Sequence, residues 1–239
     1  MKIYQENLSN CSGFFRKGEA DLGVDEDGNL ANGYQHHDAL WWDGRNYIET
    51  RRPESMDFVQ TMNFFNSCFG NLANNIVTYL RPKFILELGS GSGLLCSKLR
   101  GADSNIVTVS VDANRDVSRS PYIDQNHFCA RTDRLLGFRD ENRRRIIFDV
   151  VISLDHIEHI SPEGIGYFME NIKTHTKHGS KLIFSSVDWK YPEGEHSHIH
   201  CNAKPKAWWV DLIGSFGFSE YFSPFPINRG GYDLFMTKD

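Results

Sequence analysis

A chain of 239 residues, 40% of them hydrophobic, can bury one substantial core and fits one large domain or one domain with an appendage. A formal net charge of -5 removes the general electrostatic reason to expect nucleic acid or an acidic membrane as partner. Five scattered cysteines without a C-x-x-C pair argue against a disulfide framework or structural zinc. An N-terminus without the apolar core of a signal peptide, and no apolar run near the ~20 residues of a membrane helix, complete the expectation of a soluble, cytoplasmic protein with no membrane partner.

In chain order, residues 1–80 have a texture of their own: polar turns from Asp25 to Gly33, an aromatic group of Tyr34, Trp41, Trp42 and Tyr47, then an apolar-periodic segment from Met56 to Leu80. They are expected to form an N-terminal cap on the substrate side, over a core spanning residues 81–239. In that core, FILEL, NIVTVSVD, NHFCA, RIIFDVVISL and SKLIFSSVD read as strands. GLLCSKLR reads as the helix after the first of them. Ser161-Pro162-Glu163 predicts a helix start, with the helix running to about Lys177 before Gly179. A helix is expected after Pro205, then a closing antiparallel strand pair within FSEYFSPFP and GGYDLFMTKD, which would supply an edge strand. Alternating strands and helices imply an α/β architecture with a parallel sheet covered on both faces.

The stretch FILELGSGSGLLCSKL places glycines between a strand and a helix, where backbone N–H groups and a helix N-terminus can approach a ligand without a Cβ clash. A dinucleotide fingerprint needs a small residue at position 94, which is Leu, and no Gly-Lys-Ser/Thr follows to make a P-loop. What remains is E-x-G-x-G-x-G: Glu87, Gly89, Gly91 and Gly93. A carboxylate there repels phosphate and suits a cationic ligand. Asp112 ends the second strand, where a carboxylate in nucleoside-binding α/β folds accepts the ribose hydroxyls.

On these residues the sequence resembles the class I S-adenosylmethionine-dependent methyltransferases, over roughly residues 81–239. The resemblance implies a Rossmann-like, doubly wound, mostly parallel seven-stranded sheet with an antiparallel C-terminal strand. It also implies S-adenosyl-L-methionine as cofactor, held by Glu87, Gly89, Gly91, Gly93 and Asp112, by Asp133 at the adenine amino group, and by Leu154 at the end of the fourth strand.

Methyl transfer to a hydroxyl requires alignment of the acceptor and removal of its proton. In SLDHIEHI, Asp155, Glu158 and His159 stand at i, i+3 and i+4, the spacing of one helical face. This resembles the metal-binding E-x-x-E-H of ubiquinone-pathway O-methyltransferases and small-RNA 2′-O-methyltransferases, with Asp155 in place of the first glutamate. The RNA enzymes add a distant histidine, for which EHSHIHCN offers His196, His198 and, as the preferred match, His200. Two uses stand open: Asp155, Glu158, His159 and His200 as ligands of a divalent cation such as magnesium, or His159 as a general base without metal, with Asp155 and His200 beside it.

Arg51 and Arg52 could clamp an anionic acceptor, and Tyr34, His36, His37, Trp41 and Trp42 could form a stacking wall, or the apolar cap packed on the sheet. The expected activity is O-methylation of a small-molecule or saccharide hydroxyl. The alternatives are RNA 2′-O-methylation, disfavoured by the acidic balance, and a non-catalytic S-adenosylmethionine-binding protein.

Overall fold

The computed structural model describes residues 1–7, 14–15, 56–113, 120–188, 200–227 and 231–239. The aromatic group at 34–47, Arg51, Arg52, His196 and His198 lie outside these residues. In chain order the elements are strands β1 (Tyr4–Asn7) and β2 (Phe14–Phe15), helix α1 (Met56–Leu80), β3 (Phe84–Leu88), α2 (Leu94–Ala102), β4 (Val107–Asp112), β5 (His127–Cys129), β6 (Leu136–Arg139) and β7 (Val150–Leu154). A short 3₁₀ turn (Ile157–His159) leads to α3 (Ile165–Thr174), β8 (Lys181–Ser186), α4 (Lys206–Ser215), β9 (Phe218–Glu220) and β10 (Tyr232–Lys238).

Seven strands form the main sheet in the order β5-β4-β3-β7-β8-β10-β9. The first five are parallel to one another, and β10 runs antiparallel to both β8 and β9. The expected edge strand is β9; β10 lies inside, between β9 and β8. Strand alternation sends successive side chains to opposite faces, and two buried clusters record this. Leu86, Leu88, Val151, Leu182, Phe184 and Leu234 pack with Phe168 and Ile172 of α3 and Trp209 and Ile213 of α4. Ile85, Ile152, Leu154, Ile183 and Phe235 pack with Leu72 and Ile76 of α1 and Leu95 and Leu99 of α2. No described helix is long and apolar enough to cross a membrane.

A second sheet, β2-β1-β6, was not foreseen. β1 pairs antiparallel with β6, and Ile3, Leu136 and Phe138 join the α3-side cluster. The chain start is thus hydrogen-bonded to a segment from the middle of the chain.

The run Arg145 to Leu154 divides where one strand was expected. Asp149 turns its carboxylate to the backbone N–H groups of Lys83 (2.9 Å) and Phe84 (3.0 Å), so the strand begins at Val150. The helix expected from Ser161 to Lys177 is shorter at both ends. The Ser161 carbonyl accepts from Gly164 and Ile165 in a lead-in turn. At the other end His175 leaves the helix for the core. Its Nε2 accepts from the Phe138 N–H (3.3 Å), so Nδ1 carries the proton donated to the Ile146 carbonyl (2.7 Å).

Burial depresses the pKa of His175 below its ordinary 6.5, keeping it neutral in the fold. The unfolded chain therefore binds the extra proton first, and stability is expected to fall as pH drops below 6.5 toward the folded value. Urea unfolding at pH 7.5 and 5.5 reads this slope, and His175→Asn, which does not titrate, is expected to flatten it.

Candidate active site

Because β3, β4 and β7 are parallel and in register, with Glu87 opposite both Ser110 and Ile152, the segments after them emerge at one edge of the sheet. That carboxyl edge, where the chain crosses from one half of the sheet to the other, is where ligands bind in open α/β folds. Glu87, the glycine turn, Asp112 and the 155–159 run all reach it.

The turn after β3 is built on left-handed backbone: Gly89, Gly91 and Gly93 have φ of 73°, 49° and 75°. Gly89 and Ser90 both donate N–H groups to the Val111 carbonyl, and Gly91 donates to Asp112 Oδ2 at 2.7 Å. Asp112 therefore closes the turn while standing at the end of β4. Glu87 is buried on the α1/α2 face beside Cys96, and its Oε2 has no hydrogen-bond partner; neither has the Ser90 hydroxyl. Burial pushes the Glu87 carboxyl up to about 7, opposed in part by its hydrogen bonds with Cys96. A buried carboxylate oxygen without a donor fits a ligand that brings a cationic amino group, as S-adenosylmethionine does.

A folded value above the ordinary 4.5 means that the contribution of Glu87 to stability is complete below 4.5 and is lost as pH rises through about 7. Without ligand, the melting temperature is expected to drop between pH 5.5 and 8.5, and Glu87→Gln to remove that drop.

Asp133, in the loop after β5, is buried with both oxygens on Arg131: Nε to Oδ1 at 2.9 Å and Nη2 to Oδ2 at 2.6 Å. Asn171 of α3 latches the same loop, donating to the carbonyls of Thr132 and Arg134 and accepting from the Leu136 N–H. Leu154 ends β7 with its side chain in the α1/α2-side cluster.

His156 was not singled out in the sequence. Its ring lies against the α-carbon of Gly89, its Nε2 shares a 2.8 Å hydrogen bond with Thr132 Oγ1, and it packs on Phe168. One imidazole thus joins the glycine turn, the loop after β5 and the end of β7. Two residues after Leu154, its position gives no sequence signal of a partner 67 residues earlier.

The helical face expected for Asp155, Glu158 and His159 does not form. Asp155 has φ of 48°, a left-handed residue that breaks helical continuity before the 3₁₀ turn. Glu158, His159 and His200 nevertheless converge, each offering a ligand atom within 4.8 Å of the others; among the described residues no other such group of three or more occurs. The rings of His159 and His200 are 5.0 Å apart, and Glu158 Oε1 is 3.9 Å from His159 Nε2. The turn carrying His200 is tied to the 3₁₀ turn: Asn202 donates its N–H to the Glu158 carbonyl (2.9 Å), and the Cys201 thiol donates to the His159 carbonyl (3.4 Å). One carboxylate and two imidazoles form a donor set suited to a divalent cation. Asp155 is not in this group; its Oδ1 accepts from the Ser185 hydroxyl at 2.6 Å.

The sequence matches no family model and no curated protein. Solved structures are similar in fold. An O-methyltransferase family protein from Burkholderia thailandensis has 12% identity and a TM-score of 0.55, with 83% of this chain and 63% of that one covered. Magnesium protoporphyrin IX methyltransferase from Synechocystis, with bound SAH, has 13% identity and a TM-score of 0.57, with 85% and 98% covered. Human N-acetylserotonin methyltransferase, in complex with SAM, has 13% identity and a TM-score of 0.51, with 84% and 65% covered. The chain spans 59–63% of the length of the first three neighbours. Strand order and these likenesses agree on one architecture: the chain has the Rossmann-like fold of the class I S-adenosylmethionine-dependent methyltransferases.

Proposed function

We propose that the chain is an S-adenosylmethionine-dependent methyltransferase acting on a hydroxyl of a small molecule or saccharide, assisted by a divalent cation at Glu158, His159 and His200. The observation that carries this reading is the convergence of those three side chains at the sheet edge that also bears the glycine turn and Asp112. When bound, the cofactor supplies a methyl group on a positively charged sulfur.

Glu87 receives the cationic end of the cofactor at an oxygen that otherwise lacks a donor. Asp112 receives the ribose hydroxyls beside the glycine turn that it closes. On the acceptor side, Glu158 and the two imidazoles would hold the cation, whose charge lowers the pKa of an acceptor hydroxyl. In the alternative use without a cation, His159, beside the Glu158 carboxylate, would itself take up the hydroxyl proton. The net charge of -5 favours a small acceptor over RNA.

Calorimetry with S-adenosylhomocysteine and a release assay over hydroxyl acceptors, with and without Mg²⁺, test the reading. Binding and Mg²⁺-stimulated transfer are expected, with both lost in Asp112→Ala. Absence of binding would sink the proposal. Binding without transfer to any hydroxyl, amine or thiol acceptor would make the chain a non-catalytic cofactor-binding protein.

A further inference from the structure

Two adjacent serines at the end of β8 divide the acid–histidine run between the two faces of the sheet. Ser185 and Ser186 are both fully buried, and successive strand residues point to opposite faces. Their predecessors show which face is which: Ile183 belongs to the α1/α2-side cluster and Phe184 to the α3/α4-side cluster. Ser185, on the first face, lies opposite Leu154 and donates to Asp155 Oδ1 at 2.6 Å. It also accepts the Asp155 N–H at 3.0 Å, and its carbonyl accepts the same N–H at 3.1 Å, so Asp155 is held at both its N–H and its carboxylate. Ser186, on the second face, lies opposite Tyr232 and donates to Glu158 Oε2 at 3.1 Å.

Ser186 is itself fixed. A Cβ on residue 231 would collide with the Ser186 carbonyl, so only glycine lets β10 approach there. The Tyr232 hydroxyl donates to the Lys204 carbonyl at 2.6 Å, tying the start of β10 to the segment before α4. A carboxylate oriented through one oxygen presents the other to a shared centre, the arrangement by which outer partners set metal ligands.

Building on the divalent-cation reading above, we propose that Ser186 is the positioning residue that orients Glu158 for the cation it shares with His159 and His200. Asp155, which the E-x-x-E-H spacing would include, stands outside the ligand set because Ser185 holds it on the other face.

The test is Mn²⁺ titration of the full chain, followed by the electron paramagnetic resonance of free Mn²⁺, with S-adenosylhomocysteine calorimetry and a melting curve on each variant. Wild type is expected to bind one Mn²⁺, Glu158→Gln to abolish binding, and Ser186→Ala to weaken it by about tenfold or more. Asp155→Asn and Ser185→Ala are expected to stay within about twofold of wild type. Loss of affinity in Asp155→Asn comparable to that in Glu158→Gln would overturn the proposal, as would an unaffected Ser186→Ala or a wild type that takes up no Mn²⁺. If Ser186→Ala does not fold, the contrast between Asp155→Asn and Glu158→Gln decides the ligand set. Failure of Mn²⁺ uptake with S-adenosylhomocysteine still bound removes the cation site and leaves the methyltransferase reading standing; the opposite pattern removes that reading and leaves the site.

Discussion

Arg131→Ala is expected to destabilise the protein by about 3–5 kcal/mol, because it removes one partner of a buried ion pair and leaves the other charge in place. Asp133 is 2% exposed, and the Arg131 fork meets both of its oxygens. The carboxylate has no easy route to water. Gly164 lies with its α-carbon against the Asp133 side chain, and Asn171 holds the carbonyls on both sides of it. Urea unfolding is expected to show a lower midpoint with an unchanged slope. Arg131→Lys keeps the charge and loses the paired geometry, so its cost falls between wild type and alanine. The double variant Arg131→Ala/Asp133→Asn removes both charges and is expected to recover much of the loss. Equal instability of the single and double variants would show that Arg131 contributes packing rather than charge.

The parts of the fold legible in the sequence are those carried by local pattern. FILEL with its glycines and GLLCSKLR appear as β3, its turn and α2, because strand, turn and helix preferences lie within twenty residues of one another. The periodic segment from Met56 to Leu80 is α1 over that whole length. What escaped depends on partners distant in sequence. β6 contains Gly137 and Arg139 and forms a strand by pairing with β1, more than a hundred residues earlier in the chain. β7 begins late because Asp149 is recruited by Lys83 and Phe84.

The site divides on the same line. Glu87, Gly89, Gly91 and Asp112 could be located from spacing, since they belong to one strand–turn–helix unit and its neighbouring strand. His200 comes within 4.8 Å of Glu158 and His159 by ligand atoms, a proximity made by the turn tied to the Glu158 and His159 carbonyls. The i, i+3, i+4 spacing misled for Asp155, because one left-handed φ ended the helical periodicity on which that spacing depends. His156, Ser185 and Ser186 carried no signal, as each acts through a contact made by tertiary packing.

Gly89→Ala is expected to combine two costs and to abolish detectable S-adenosylhomocysteine binding. The first is backbone: at φ of 73° a Cβ meets the following carbonyl, a penalty of about 1–2 kcal/mol. The second is steric, because the new Cβ would occupy the space of the His156 ring. That ring cannot retreat without breaking its bond to Thr132 and its packing on Phe168, and overfilling a packed site costs about 1–3 kcal/mol. Gly89→Ala/His156→Ala separates the two. Removal of the ring relieves the collision and leaves the backbone penalty, so the double variant is expected to unfold at a higher urea concentration than Gly89→Ala alone. This sign reversal, a second truncation that stabilises, is the coupling expected of residues in direct contact. Ligand binding should not recover with it, because the strained backbone at residue 89 still disturbs the bonds from the turn to the Val111 carbonyl and to Asp112, the proposed ribose acceptor. Recovery of binding along with stability would mean that His156, rather than the backbone of Gly89, is what the substitution disturbs.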